Sequence, residues 1–485
     1  MRAFASLARL AGAACLAVLG AVQASAQTAP PMPQNPAPGP SGQQQKAPTG
    51  LWERSNLLGD PLGARSALAD RGLSFGLSET SEVLGNVTGG VHTGAAYDGV
   101  TMMSLGVDTS KAFGWDGGIL NISALQIHGR DLSTDNLYVL QPASSIAGER
   151  TTRIWELWYQ QSFLGGKADL KLGQQSLDQE FLISAQSGLF INAVMGWPAL
   201  PTVDMYAGGP AYPLSSLGIR LRAEPSDTVT VLGGVFDDNP PGGPFYNDNQ
   251  LNGSEAGGHR FNLGTRALFI AEVQYALNPP PASPPSAGAP PPGLPGTYKL
   301  GFWYDTGAFP SQNIASDGLP LASSASTGIP QMLWNNFSLY GVIDQTIWRP
   351  DPQGARALGL FLRAMGAPGD RNLVNFSMNA GVTLKAPLPG RDNDTTGIGI
   401  GYARISGAAA QHDQQLAFYT GTAIPIRSAE TFIEATYQAQ LAPWWIVQPD
   451  IQYFINPSGG ILNPLNPTEK IKNELVLGLR TNVTF

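Results

Sequence analysis

The chain has 485 residues, a net charge of -8 and no basic tract, a poor endowment for nucleic-acid binding. Its single cysteine, Cys15, excludes a disulfide-stapled secreted fold. With 58 Gly, 40 Pro and only 13% charged residues, the composition describes many strands joined by turns and not a helical protein.

The sequence opens with MRAFASLARLAGAACLAVLGAVQASAQ. Arg2 and Arg9 supply a basic start, Leu10 to Val22 an apolar centre, and Ala24-Ser25-Ala26 a small-residue cleavage pattern. This predicts a secretory signal peptide over residues 1–26. No later apolar run reaches the roughly 20 residues that a bilayer-spanning helix needs. Residues 27–50, rich in Pro and Gln and poor in large apolar side chains, read as a disordered tether. Over residues 51–72, Asp60 as N-cap, Pro61 at the first helical position and Gly72 past the end predict a short helix.

From Leu73 to Phe485 the pattern becomes alternating segments of about ten residues, the length a tilted strand needs to cross a bilayer. The clearest are GILNISALQIH, TTRIWELWYQQ, KADLKLGQQ, SLGIRLRAEP and TGIGIGYARIS, and the full set predicts 16 strands. An even number returns both ends of a barrel to one rim. Alternate joints are short, as in FLGG, EPSD, PDPQG and APWW, whereas those between them are long, notably 129–150, 177–213 and 307–334. Short turns on one rim and long loops on the other are how outer-membrane barrels are built. The stretch NPPPASPPSAGAPPPGLPG at 278–296 breaks this rule and reads as a disordered periplasmic insertion.

The last segment, ELVLGLRTNVTF, shows the wall in miniature. Leu475, Leu477, Leu479, Thr481, Val483 and Phe485 share one face, while Glu474, Gly478, Arg480, Asn482 and Thr484 take the other. The apolar face is expected to meet lipid, with Phe485 in an aromatic girdle at the periplasmic rim. A closed barrel satisfies its backbone without a long apolar run, so a mean hydropathy of -0.07 fits a membrane protein with a polar lumen. The fold expected is therefore all-β, a transmembrane antiparallel β-barrel of about 16 strands over 73–485 with a short N-terminal helix.

The same parity assigns the lumen. Trp155, Leu157 and Tyr159 suit lipid, which sends Glu156, Trp158 and Gln160 inward; Leu217, Ile219 and Leu221 face out, so Arg220 and Arg222 point in. Leu170 and Leu172 likewise place Asp169, Lys171 and Gln175 inside. Charges of both signs, amides and an aromatic make a passage without strong ionic preference, suited to a neutral polyhydroxylated solute or simply to water. The stretch 177–213 is too long and too apolar for a solvated loop, because Phe181, Phe190, Ile191, Met195 and Trp197 need burial. Folding it into the barrel mouth would narrow the channel, with Asp178, Glu180, Asn192, Trp197 and Asp204 placed to meet the solute. An external cap and a subunit contact are the other uses of such a loop.

Several long segments carry a resemblance: NLLGDPLGARSALADRG, ALQIHGRDLS, TTRIWELWYQQSFLGGKADLKLGQQSLDQEF, LFINAVMGWPALP and TFIEATYQAQLAPWWIVQPDIQYFINPSG. Together they resemble the carbohydrate-selective porins of the OprB family. The resemblance implies a sixteen-stranded barrel that passes monosaccharides such as glucose across the Gram-negative outer membrane through a narrow eyelet. It puts Arg130 of HGRDLS, Glu156 of WELW, Glu180 of DQEF and Trp197 of GWP at the head of the eyelet residues. Trp158, Lys171, Asp178, Asn192, Asp204, Arg220 and Arg222 join them from parity and loop position. The expected partners are a monosaccharide, outer-membrane lipid and, during insertion, the barrel-assembly machinery; the choice between monomer and homo-oligomer stays open. No cofactor, metal or nucleic acid is implied.

Two other classes compete. A barrel enzyme needs a nucleophile with a positioned base. Of the four histidines, His128 lies in IHGRDLS and the others in polar loops, and no HExxH, GxSxG or cysteine ligand set appears. A secreted β-rich binding module would share the strand pattern but should not present Trp155, Tyr159, Ile219 and Phe376 outward. A general porin is the nearest functional rival.

Overall fold

The computed structural model describes residues 50–242, 257–259, 261–279, 293–352 and 354–485. The expected signal peptide, nearly all of the tether and most of the Pro-rich stretch lie outside these residues.

The alternating segments become β1 (Leu73–Gly90), β2 (Gly94–Asp108), β3 (Gly118–Gly129), β4 (Thr151–Phe163), β5 (Ala168–Gln175), β6 (Ser216–Ser226), β7 (Val229–Asp237) and β8 (Ala267–Leu277). They continue as β9 (Gly296–Ala315), β10 (Pro330–Trp348), β11 (Ala357–Gly366), β12 (Val374–Lys385), β13 (Thr395–Ile405), β14 (Ala429–Ala442) and β15 (Trp445–Ile455). A small hairpin, β16 (Leu462–Asn463) and β17 (Asn466–Lys470), precedes the closing strand β18 (Lys472–Thr484). Apart from that hairpin, each strand pairs antiparallel with its chain neighbours, and β18 returns to β1, which closes a barrel of sixteen strands. All sixteen expected segments are present. β9 and β10 run to 20 and 19 residues, longer than the bilayer requires, and project beyond it on the long-loop side.

The faces of β18 divide as its alternation predicts. Leu477 and Leu479 are 45% and 52% exposed on the outside, whereas Glu474 and Arg480 are buried on the inside. Phe485 donates its N–H to the Leu77 carbonyl and shares a rim with Trp444 and Trp445, whose rings stack 5.8 Å apart.

β4 departs from simple parity. Ile122 faces Leu157 across the ladder and Ala124 faces Ile154, so Ser123 alone opposes both Trp155 and Glu156. This is a β-bulge, and it turns two successive side chains the same way. Trp155, expected on the lipid face, is therefore fully buried, with its ring edge-on to Tyr212 and its Nε1–H on the Leu214 carbonyl. Glu156 still faces inward.

The N-terminal helix spans Ala64–Asp70, after a single turn at Pro61–Gly63. It starts later than expected because Gly63, at φ 73°, breaks the helical path after Pro61. Asp60 holds the helix from a distance, accepting from the Arg65 N–H at 2.7 Å. Gly72 ends the segment at φ +79, where a Cβ would lie 2.6 Å from the Asp108 carbonyl oxygen. Trp52 stacks on Trp444 at 6.1 Å, and Arg65 reaches the Phe485 carbonyl, so the segment before β1 lies against the short-turn rim.

Much of the interior is occupied by two insertions. Residues 131–147 and 177–214 fold into the barrel and bring with them the apolar side chains that could not remain in water, among them Leu137, Leu140, Phe181, Ile191, Val194, Trp197 and Leu200. At about 1.5–3 kcal/mol for each large apolar side chain buried, the longer insertion gains on the order of 10 kcal/mol from its five or six largest. Space for it is made by β13. The inward glycines of TGIGIG remove the side chains that would otherwise stand there: a Cβ at Gly397 would lie 2.9 Å from Leu189 and Phe190, and one at Gly399 only 2.6 Å from Met195.

Candidate functional site

Backbone N–H groups brought into a barrel must find acceptors, and the wall supplies carboxylates for this purpose. Glu156 on β4 accepts from Ser176 N–H at 3.0 Å as the long loop leaves β5. Glu272 on β8 takes Leu182 N–H at 3.0 Å, and Asp344 on β10 takes Ser184 Oγ–H at 2.6 Å and Ala185 N–H at 3.1 Å. Glu434 on β14 takes Ile191 N–H at 2.6 Å and Asn192 N–H at 3.2 Å. The shorter insertion is held alike, with Glu430 accepting from Leu140 and Gln141 N–H at 2.8 and 2.9 Å.

One cation completes the set. Arg363 on β11 is buried and donates to the carbonyls of Leu182, Val194, Met195 and Gly196 at 2.6–2.9 Å, and to Asn379 Oδ1 at 3.0 Å. Its planar fork ties two stretches of the loop to one strand.

Four of the expected solute contacts have their polar atoms taken up by the loop, the shorter insertion or the wall. Asn192 caps Val194 N–H and donates to Gln141 O and Gln452. Trp197 is fully buried, its indole N–H on the Gly208 carbonyl at 2.9 Å. Asp204 accepts from Leu373 and Val374 N–H on the far wall. Asp178 accepts from Ser176 Oγ–H, Gln179 Nε2–H and Tyr212 N–H, which joins the loop's two ends.

Burial pushes the Asp178 carboxyl up to about 6, against the opposing pull of those donors. A raised folded value means the stability it contributes is fully present below about pH 4 and is lost as pH rises through about 6. Protection of the 176–212 backbone from hydrogen exchange is expected to be greater at about pH 5 than at about pH 7.5, by about 1.4 kcal/mol. Asp178→Asn should flatten that dependence; an unchanged pH profile would assign it to another group. Glu180 does not confuse the reading. Although burial raises its carboxyl, Lys171 and Arg220 outweigh that and hold it below its usual range, so it titrates below this window.

Glu180 is where the loop meets the open wall. Lys171 on β5 and Arg220 on β6 are directly opposed in the ladder, a repulsive pairing on its own. Glu180 enters between them, paired with Lys171 and 2.5 Å from Arg220 Nε. Arg220 also pairs with Asp169, which reaches Arg222 at 3.4 Å, and Arg222 pairs with Glu224. Three cations alternate with three anions. The Lys171 ammonium lies 4.3 Å from the centre of the Trp158 ring, and Gln160 accepts from Arg220 at 3.2 Å. The side chains of Glu180 and Arg222 stay 20% and 32% exposed, so this ladder presents charge to solvent.

The structure thus brings Trp158, Lys171, Glu180, Arg220 and Arg222 together. Glu156, Asp178, Asn192, Trp197 and Asp204 stand behind them in the loop and its anchors. Arg130 is separate, exposed at the long-loop rim 3.8 Å from Asp135. The anchors Arg363, Glu272, Asp344, Glu430 and Glu434 were not singled out by sequence reasoning. Parity in ALGLFLRAMG and ETFIEATYQAQ sends Arg363, Glu430 and Glu434 inward, which was the available signal.

The sequence pattern described as "Carbohydrate-selective porin, OprB family" matches residues 92–485. The chain belongs to the OprB family. Porin B of Pseudomonas aeruginosa is 23% identical over 466 residues, covering 90% of this chain and 92% of that protein. Among solved structures, the high-pH structure of Pseudomonas putida OprB superposes with a TM-score of 0.75 at 22% identity, covering 89% of this chain and 99% of that one. The low-pH structure of the same protein gives a TM-score of 0.53 at 18% identity. OprB membership accounts for the closed barrel and for an identity too low to carry over individual side chains.

Proposed function

We propose that this protein is a passive channel of the Gram-negative outer membrane that passes neutral monosaccharides such as glucose. The observation that carries the reading is the ladder Lys171–Glu180–Arg220–Asp169–Arg222–Glu224 with Trp158 beside it. Its charges balance, so it gives a net ion no advantage, yet it offers hydroxyl groups donors and acceptors in alternation. The Trp158 ring supplies an apolar face for the C–H side of a sugar ring. Family membership and the closed barrel support a channel over an enzyme. On this reading residues 1–26 direct export, 27–50 form a tether, 51–72 a rim segment and 73–485 the barrel, which meets lipid and is inserted by the barrel-assembly machinery. The solute contacts are Trp158, Lys171, Glu180, Arg220 and Arg222, with Glu156, Asp178, Asn192, Trp197 and Asp204 setting the loop and Arg130 at the outer approach.

The test is swelling of liposomes carrying refolded protein, in glucose, a disaccharide and a net-neutral amino acid of similar size to glucose. Glucose should enter faster than the amino acid. Lys171→Met with Glu180→Gln should remove that preference and leave total permeability within about threefold, because the loop's anchors lie elsewhere. Equal rates for glucose and the amino acid in the unaltered protein would instead support a general porin. No swelling at all would sink the channel reading.

A further inference from the structure

The outer wall of β8 to β13 is apolar through its middle, with Leu339 and Ile398 64% and 57% exposed, as lipid-facing side chains should be. At the long-loop end of the same strands its character changes. Arg266, just before β8, reaches across the outside of β9 and sets its guanidinium 5.1 Å from the centre of the Trp334 ring on β10. Arg371, in the joint between β11 and β12, donates to the carbonyls of Trp334 at 2.8 Å and Asn335 at 2.5 Å. Arg404 on β13 faces Phe376 across the ladder, lies 5.7 Å from its ring and donates Nε–H to Asn375 Oδ1 at 3.0 Å. Three guanidinium groups therefore follow one another along six neighbouring strands.

The arc is not neutralised. Asp370 takes Arg371 with both oxygens at 2.9 Å, but among the described residues no ion pair reaches Arg266 or Arg404, and both are exposed. Three cations less one anion leave two positive charges on the rim of a chain whose net charge is -8. Height decides what meets them. Tyr298 lies near the short-turn rim, where its hydroxyl donates to Gln345, and Ala308 further along β9 pairs with Trp334. Between the two the strand climbs about 25 Å, at about 2.5 Å per residue for a tilt of roughly 40°. That is the height of the apolar band, so Trp334, 57% exposed, and the arginines beside it stand at its outer border. Directly below them Phe269, Phe337 and Leu339 face the acyl chains.

We propose that this arc binds the phosphate of an outer-leaflet lipid headgroup. A guanidinium donates to phosphate through two parallel N–H bonds, which a planar fork matches and a single ammonium does not. The rings of Trp334 and Phe376 each hold one face of a guanidinium and leave its edge free to donate. The lipid is favoured over a dissolved anion because one surface serves both of its parts. Its phosphate meets the arginines at the level of the headgroups, and its chains lie on the apolar wall immediately beneath. This inference rests on the barrel's lying in the outer membrane and is independent of what passes through it.

The test titrates the full chain, folded in neutral-detergent micelles, with a fluorescent acylated diglucosamine lipid carrying two phosphates, and in parallel with the same lipid stripped of phosphate. The unaltered protein should bind the phosphorylated form at least about tenfold more tightly. Arg266→Gln with Arg404→Gln should weaken that binding about fivefold or more, while heat-dependent gel migration still reports a closed barrel. Lysine at both positions keeps the charge without the fork and should fall between. Lys167→Gln, which removes an exposed cation from the short-turn rim, should bind as the unaltered protein does. If the double glutamine variant does not migrate as folded, Arg404→Gln alone carries the test, with a loss of about two- to threefold. Undiminished affinity in the folded glutamine variant would overturn the proposal, as would an equal loss in Lys167→Gln. Displacement of the lipid by inorganic phosphate alone would also overturn it, by assigning the arginines to a dissolved anion.

Discussion

Replacing Arg363 with methionine is expected to release the long insertion and raise single-channel conductance several-fold, with loss of discrimination between glucose and a disaccharide. Among the described residues, the guanidinium is the one side chain that holds both the 182 and the 194–196 stretches of the loop. Methionine fills similar volume but donates nothing, so the carbonyls of Leu182, Val194 and Gly196 lose the guanidinium while Met195 O keeps Ser187 Oγ–H, at a combined loss on the order of 5 kcal/mol. Those carbonyls regain hydrogen bonds only by moving into water, which means moving the loop. The barrel's own ladder does not depend on this residue's side chain, so heat-dependent gel migration should persist. Arg363→Lys keeps the charge but loses the fork, and an intermediate conductance is expected. Wild-type conductance in Arg363→Met would mean that the wall carboxylates suffice.

Gly399→Leu should act on the same loop from the other side. A Cβ at this position would already come within 2.6 Å of Met195 and 3.0 Å of Phe190, and a full leucine has no cavity to occupy. Overpacking of this kind costs about 1–3 kcal/mol where neighbours can shift, and here the neighbours that can shift belong to the inserted loop. The expected outcome is faster swelling in disaccharide, with Gly399→Ala giving a smaller rise because the Met195 terminus is flexible. Gly341 on β10 provides the control. A Cβ there meets only the Lys299 carbonyl at 3.7 Å, so Gly341→Leu should leave permeability unchanged. If both glycine variants behave alike, the room made by β13 is not what seats the loop.

Much of this architecture was legible because a period of two is a strong signal. The alternation in ELVLGLRTNVTF and SLGIRLRAEP assigned both faces correctly, and the apolar content of 177–213 pointed to burial inside the mouth. Parity cannot see a bulge, since an extra residue leaves no mark in composition; Trp155 was therefore sent to lipid when Ser123 opposes two residues and turns it inward. Nor does inward direction name a partner. Glu156 does face the lumen side, but its carboxylate is spent on Ser176 N–H, a contact between two points that only the folded loop brings together. The insertion at 131–147 gave even less notice. Its apolar residues are fewer than those of 177–213 and mixed with Ser, Thr, Asp and Asn, and the backbone N–H groups buried with them find acceptors such as Glu430 nearly 300 positions later.

That separation has a kinetic consequence. The N–H groups of residues 140–192 are made early in the chain, whereas Glu430, Glu434 and Gln452 arrive at its end, with contacts spanning 242–290 positions. Contacts of such high order form late, after the entropy of closing the intervening chain has been overcome. While strands are still being added, the insertions have few of their final acceptors, and the growing sheet surrounds two segments that are not yet fixed. The packed interior is therefore a product of completion. Its rigidity appears only when β14, β15 and β18 have taken their places and the first strand has met the last.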